Sequence, residues 1–161
     1  IQGGPLEHVI AAKAQCFYEA LKPEFRIYQE NVIKNIKALA SVLKEEGFKI
    51  ISDGTDNHLI LVDVKSSCGI TGKDAQDLLD KLHITVNKNS IPNDTEKASI
   101  TSGIRIGSPA GTTRGFNEND FKEIGYIIAK ALKNKNNEEI LNNLKNEVLM
   151  LTSKYPLWYG R

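Results

Sequence analysis

Residues 48–64 read FKIISDGTDNHLILVDV, and the spacing of the apolar residues changes within this stretch. FKIIS and HLILVDV are short, rich in β-branched residues and separated by the turn residues Asp53 and Gly54, a pattern that predicts two strands. Upstream of residue 48 the apolar residues follow a helical period instead. The stretch therefore predicts the start of a sheet that is preceded by helices.

Two helices are predicted before these strands. The turn Gly3-Gly4-Pro5 leads into LEHVIAAKAQCFYEAL, and a second helix follows Pro23 and ends near Gly47, which is placed to cap it. Cys16 is predicted to be buried because its neighbours in the first helix are apolar. One apolar stripe marks the second helix: Tyr28, Val32, Ile36, Leu39 and Leu43.

After the two strands, the chain predicts a further helix, two more strands and two closing helices. The helix runs from its N-cap Thr71 to Leu82. The strands HITVNKN and ITSGIRIG are joined by a polar loop at 90–99, and a turn at 108–111 follows them. The closing helices have the apolar stripes Phe121, Ile124, Ile128, Leu132 and Leu141, Leu144, Val148, Leu151. This order predicts an α+β fold, with a small sheet and helices packed on one of its faces.

The composition excludes several functional classes. The 161 residues correspond to one domain, or to one domain and a piece of another. The net charge of +1 gives no reason to expect nucleic acid or an anionic membrane as partner. No apolar run reaches the roughly 20 residues that span a bilayer. The strands carry no aromatic residue on which RNA bases would stack, which argues against an RNA-binding domain.

The histidines and cysteines predict neither a metal site nor a secreted protein. The three histidines have no metal-ligand spacing, and Cys16 and Cys68 are far apart and form no CxxC pair. A cytoplasmic location fits these cysteines better than an oxidising compartment. Because the chain does not begin with Met, we interpret it as the downstream part of a longer protein.

Three features of the sequence are candidates for ligand binding. Gly3 and Gly4 precede a helix, where free N–H groups and the helix dipole suit a phosphate, although a simple tight turn explains them equally. Arg105 lies in the apolar strand ITSGIRIG between Gly103 and Gly107. Its planar fork suits a carboxylate or phosphate, but an edge-strand arginine in solvent is the alternative. The polar loop at 87–99 either binds a polar ligand or is only solvated.

Several stretches together resemble serine hydroxymethyltransferases, in the order and at the spacing of that family. They are IQGGPLEHVIAAKA, SDGTDNHLILVD, ITGKDA, ITVNKNSIPND, TSGIRIGSPAGTTRGF and KYPL. The resemblance implies a pyridoxal-phosphate enzyme of fold type I that interconverts serine and glycine and transfers a one-carbon unit to or from tetrahydrofolate. It also implies that residues 1–22 end the large cofactor domain and that 23–161 form the small C-terminal domain, whose short sheet is mostly antiparallel.

The resemblance assigns roles to individual residues. The arginine of the SGIR motif, here Arg105, grips the α-carboxylate of the amino acid in the family. The QGGP turn, here with Gly3 and Gly4, reaches the cofactor phosphate of the neighbouring subunit in a homodimer. Asn89 of VNKN lies near the folate, and so does the segment before TSGIR, although its usual Pro and Phe are absent here. That segment comprises Lys97, Ala98 and Ser99.

The resemblance also implies that essential groups lie elsewhere. The lysine that forms a Schiff base with the cofactor belongs upstream in the family, as do the groups that stack on the ring and pair with its nitrogen. Lys88 of VNKN is not that lysine. We therefore expect this chain alone to be inactive and to bind neither cofactor nor a metal. A stand-alone module that binds a small anion at Arg105 is the alternative.

Overall fold

A computed structural model describes residues 3–157; the first two residues of the predicted N-terminal turn and the tail 158–161 lie outside the described residues. Seven helices and four strands form the described chain. The helices are α1 (Glu7–Ala20), α2 (Pro23–Glu45), α3 (Val64–Cys68), α4 (Gly72–Lys81), α5 (Pro109–Arg114), α6 (Glu118–Lys133) and α7 (Glu138–Ser153). The strands are β1 (Lys49–Ile50), β2 (Leu59–Asp63), β3 (Asn87–Asn89) and β4 (Gly103–Gly107).

The strands form one sheet in the order β1-β2-β4-β3, and every neighbouring pair is antiparallel. Strand β4 is central, so Arg105 lies opposite Leu61 of β2 on one side and Asn87 of β3 on the other. Helices and a small antiparallel sheet make up the chain, which confirms the predicted α+β fold.

Helices cover one face of this sheet and build the core against it. Side chains alternate between the two faces of a strand, and the buried apolar strand residues all belong to one face. These are Ile50, Ile60, Val62, Ile104 and Ile106. They join one apolar cluster with the inner sides of α2, α4, α6 and α7, including Ile36, Leu39, Leu43, Leu79, Ile128, Leu132, Leu144, Val148 and Leu151.

Local signals in the sequence set several of the helix ends. The Thr71 side chain accepts a hydrogen bond from the backbone N–H of Asp74 and so caps α4, as predicted. Gly47 follows α2 with a φ of 86°, a conformation that favours glycine at a helix C-terminus. Asn117 and Asp120 form a reciprocal capping box at the start of α6. No helix within residues 3–157 is long and apolar enough to cross a membrane.

The strands are shorter than the sequence predicts because left-handed residues interrupt them. FKIIS is extended only at Lys49–Ile50, since Ser52 and Asp53 have positive φ angles in a short 3-10 turn. HITVNKN is extended only at Asn87–Asn89, because His83 has a φ of 63° and completes the end of α4. The turn predicted at 108–111 is instead the first part of helix α5.

The prediction that Cys16 is buried is wrong. Cys16 is exposed, and α1 has no buried residue at all within the described chain. Apolar neighbours along a helix predict burial only if another element covers that helix, and here α1 makes contacts mainly with α2.

Candidate functional site

Arg105 lies on the sheet face that the core helices do not cover. Strand alternation places it on the face opposite to Ile104 and Ile106, which are both buried. The side chain of Arg105 is exposed, and its cross-strand neighbours are the half-buried Leu61 and the exposed Asn87. The guanidinium is therefore accessible on this sheet face, with the apolar side chain of Leu61 on one side and the amide of Asn87 on the other.

No group of residues 3–157 neutralises Arg105. The ion pairs of the described chain involve Arg26 and five lysines, and the side chain of Arg105 makes neither an ion pair nor a hydrogen bond there. By contrast, Arg114 donates to the carbonyl oxygens of Tyr155 and Thr152. An unpaired guanidinium on a central strand has all five N–H donors available for an anion.

Asn89 lies on the same sheet face as Arg105, one row further along. It is paired with Gly103, and two positions separate Gly103 from Arg105 along β4. The Asn89 side-chain nitrogen donates one hydrogen bond to the carbonyl oxygen of Ser90 at 2.8 Å, which leaves its side-chain oxygen and its second N–H for a ligand. Lys88 pairs with Ile104 and so belongs to the opposite face.

Residues 90–102, which we name the rim loop, connect β3 to β4 at this end of the sheet. The Cγ2 atom of Ile91 lies 2.7 Å from the position that a Cβ of Gly103 would take, so the loop packs directly on the strand. Lys97, Ala98 and Ser99 are exposed at its tip. The carbonyl of Lys97 closes the tip by accepting hydrogen bonds from the backbone N–H groups of Ile100 and Thr101.

Asp94 holds the rim loop together. Its carboxylate accepts hydrogen bonds from the backbone N–H groups of Ile91, Glu96 and Ser102 and from the Ser102 hydroxyl, at 2.6 to 3.1 Å. Desolvation alone would raise the pKa of Asp94, but these four hydrogen bonds outweigh it and hold the pKa well below its ordinary value. The carboxylate is therefore ionised at any pH near neutrality.

Two glycines beside a strand, as at Gly103 and Gly107, allow close approach of either a ligand or backbone, and at Gly103 it is the protein itself that approaches. Gly103 is closely surrounded by the protein itself, by Ile91 and by the backbone of both neighbouring strands. A Cβ at Gly107 would meet only ordinary contacts of 3.4 Å or more, so that position does not require glycine for space. Access to Arg105 comes from the open sheet face rather than from these glycines.

Gly3 and Gly4 are exposed before α1, and the structure does not bring them into a site with other predicted residues. Apart from their chain neighbours, no atom of the described residues lies within 4 Å of the Cβ position of either glycine. Their backbone is open to an approaching group. Elsewhere in residues 3–157, no three His, Cys, Asp or Glu side chains are grouped to hold a metal ion.

Two residues of this surface, Asn87 and Asp94, lie within the polar segment predicted at 87–99 but have no individual role in that prediction. Asn87 shares its face with Asn89 and Arg105, and the two-residue period of VNKN was the signal for it. Asp94 follows Pro92 and Asn93 in a turn, and Asp side chains in turns commonly bind a backbone N–H two residues on. Asp94 does so to Glu96, but its bonds to Ser102 join residues eight positions apart, which no local pattern indicates.

The fold and this surface together define a class of protein. It is a small α+β domain in which helices cover one sheet face, while the other face exposes an arginine whose side chain is unpaired within the described residues. The family comparison then makes the assignment specific. The family model described as serine hydroxymethyltransferase matches residues 1–128 of the 161. The chain belongs to the serine hydroxymethyltransferase family, and this membership supports a transferase function.

Proposed function

We propose that this chain is the C-terminal part of a serine hydroxymethyltransferase that interconverts serine and glycine and transfers a one-carbon unit to or from tetrahydrofolate. Residues 23–161 form the small domain in this proposal, and residues 1–22 belong with the large cofactor domain. The single observation that carries the proposal is Arg105, which is unpaired and exposed within the SGIR motif of a chain from this family.

Arg105 acts as the clamp for the α-carboxylate of the amino acid. A guanidinium binds both carboxylate oxygens through two parallel hydrogen bonds, which fixes the orientation of the α-carbon as well as the position of the ligand. Its place on the central strand β4, bonded to β2 and β3, supplies a rigid base for that orientation. The neighbouring Leu61 excludes water from one side of the clamp.

Folate binding is assigned to the same end of the sheet. The half-buried Asn89 offers its amide oxygen to the folate ring, and Lys97, Ala98 and Ser99 contact it from the tip of the rim loop. Support comes from the position of the rim loop between β3 and β4, beside the strand that carries Arg105. In this proposal the amino acid and the folate bind to the same sheet face, at the neighbouring cross-strand pairs that contain Arg105 and Asn89.

The residues present fit pyridoxal phosphate only in part. Gly3 and Gly4 expose backbone next to a helix start and would contact the cofactor phosphate of the neighbouring subunit in a homodimer. However, no lysine of this chain is buried; the most covered are the half-buried Lys88, Lys135 and Lys145. Lys135 already donates to the carbonyl oxygens of Cys68 and Gly69. We therefore assign the covalent attachment of the cofactor to residues outside this chain, in a cytoplasmic enzyme.

The experiment is the replacement of Arg105 by Lys and by Ala in the full-length enzyme that contains this chain. Charge-assisted hydrogen bonds contribute on the order of 1.5–3 kcal/mol each. Loss of a bidentate pair should therefore weaken serine binding by at least about a hundredfold, because roughly 1.4 kcal/mol corresponds to a factor of ten. Serine affinity is followed spectroscopically, and cofactor content is measured separately.

Arg26 provides the matched control. It is an exposed arginine on α2 whose side chain pairs only with Glu30 at 3.2 Å, so Arg26→Lys and Arg26→Ala should leave serine affinity unchanged. If both Arg105 variants retain the cofactor and bind serine within a few-fold of the parent, Arg105 is not the carboxylate clamp.

A further inference from the structure

Hydrogen bonds and an ion pair hold the rim loop against neighbouring elements, whereas the side chains at its tip make no such contacts. On one side, Gly72 and Lys73 at the start of α4 donate their backbone N–H groups to the carbonyl oxygens of Thr101 and Ile100. On the other side, Lys65 forms an ion pair with Glu96 at 2.5 Å. The side chains at the tip, residues 97–99, are exposed and make no hydrogen bond to the described residues.

Asp94 is the one residue that connects the two ends of this loop. Its Oδ2 atom accepts from the N–H of Ile91, near the end of β3, and from the N–H of Ser102, next to the start of β4. Its Oδ1 atom accepts from the Ser102 hydroxyl at 2.6 Å and from the N–H of Glu96. A single carboxylate thus accepts hydrogen bonds from residues at both ends of the loop.

No other side chain reproduces this arrangement. An ionised carboxylate only accepts hydrogen bonds and has room for about four of them, which matches the four donors present. An asparagine would turn an NH₂ group toward N–H donors and lose at least one of the two oxygen positions. A glutamate is longer by one methylene and would displace the loop from β4.

We propose that Asp94 is a positioning residue that fixes the rim loop beside Arg105, so that the tip 97–99 is preformed for the folate before any ligand arrives. Asp94 itself faces the loop backbone, not a ligand. This inference rests on the proposed function, since it takes the ligand at the tip to be a folate. It predicts that Asp94 controls folate binding and leaves the binding of the amino acid carboxylate at Arg105 largely unaffected.

The test measures both binding events in the full-length enzyme carrying Asp94→Asn. The Michaelis constant for tetrahydrofolate should rise by at least about tenfold, while serine affinity and the rate at saturating folate stay within about threefold, as expected when binding of one substrate is weakened equally in the ground state and the transition state. On this chain, the amide hydrogens of Ile91, Glu96 and Ser102 should exchange faster by at least about tenfold.

Two further variants keep the result interpretable. Asp80→Asn makes the same charge change on the exposed side of α4 and should alter neither folate binding nor exchange in the loop. Ser102→Ala removes only the hydroxyl donor and retains the backbone bond to Asp94, so it should give a smaller rise in the same constant even if Asp94→Asn fails to fold.

The outcomes separate this inference from the proposed function. If the unsubstituted enzyme binds serine and folate, and Asp94→Asn and Ser102→Ala leave the folate constant unchanged, the positioning role is refuted alone. If serine and folate constants worsen together, Asp94 has only a general structural role, and the inference is again refuted. If the unsubstituted enzyme binds no folate, the proposed function fails and the inference fails with it.

Discussion

At the scale of single residues, Tyr155 closes the end of α7 onto α6. Its hydroxyl donates to a carboxylate oxygen of Asp120 at 2.7 Å, and its ring lies 4.7 Å from that of Phe116. Its carbonyl oxygen accepts from Arg114 at 2.6 Å. The hydrogen bond to Asp120 is the largest cause of the raised pKa of Tyr155, followed by burial. These contacts indicate a structural role for Tyr155, which belongs to the KYPL stretch.

We expect Tyr155→Phe to lower the free energy of unfolding by about 1–2 kcal/mol at pH 7, because the ring contacts remain while the hydrogen bond to Asp120 is lost. The folded pKa of Tyr155 is thus raised above the ordinary value of a tyrosine, which is about 10. The stabilisation is therefore fully present below about pH 10 and is lost as the pH rises through the folded pKa. Urea unfolding at pH 7, 9 and 11 measures this, with the exposed Tyr126→Phe as control. A difference between parent and variant that grows above pH 10 would contradict the assignment.

The glycines show why the spatial contacts of a residue are harder to predict from the sequence than its place in a helix or strand. A glycine at position 103 allows close approach of a ligand or of backbone, and the structure places Ile91 and the backbone of both neighbouring strands there. Gly72 was simply part of a predicted helix, yet a Cβ there would lie 2.1 Å from the Thr101 hydroxyl oxygen. Arg105 could be singled out because an arginine between apolar strand residues is visible in the sequence. The partners of Gly72, Gly103 and Asp94 come from distant positions, which no local pattern reports.

At the scale of elements, α1 and α2 differ in burial although both show apolar residues at helical spacing. Helix α2 buries eight residues, while α1 buries none within the described chain. Leu21 at the end of α1 is 85% exposed, whereas Leu39 of α2 is fully buried. This contrast supports the proposal that residues 1–22 belong with another domain. The period of a helix predicts its apolar side but not which element covers it.

The two leucines give a direct test of this difference. Leu39→Ala should lower the free energy of unfolding by about 2–5 kcal/mol, because it leaves a cavity in the core, where Leu39 lies beside Gly125 of α6. Leu21→Ala should change it by less than about 0.5 kcal/mol, as is usual for an exposed position. Both are measured by urea unfolding of this chain. Equal losses in the two variants would mean that α1 packs against the core, and would refute the boundary proposed near residue 22.

At the scale of the whole molecule, the chain combines a complete core with an incomplete site. One apolar cluster joins the sheet with α2, α4, α6 and α7, and the described chain has no buried side-chain polar atom without a partner. The α+β fold could be predicted because the spacing of apolar residues differs between helices and strands. The surface around Arg105, in contrast, has an exposed guanidinium and the rim loop, and no lysine within residues 3–157 is buried.

We therefore expect this chain alone to unfold cooperatively and yet to show no turnover of serine. A core of this size supports a cooperative transition, while in our proposal the lysine that attaches the cofactor covalently lies outside this chain. The measurements are a urea unfolding curve, and a visible absorption spectrum after mixing with pyridoxal phosphate. The contrary result is a stoichiometric absorption band that disappears when one particular lysine, such as Lys88, is replaced.

The packing of α2 against the last third of the chain has a consequence during synthesis. Asn35 of α2 donates to the carbonyl oxygen of Phe116, 81 residues later, and Glu46 pairs with Lys133 across 87 residues. A ribosome that adds about 5–20 residues per second needs roughly 4–16 seconds between these segments. Throughout that interval the apolar side of α2 has no covering helix. Nascent chains should therefore be substrates for holdase chaperones until α6 has left the exit tunnel, and a pause between α5 and α6 would lengthen their exposure.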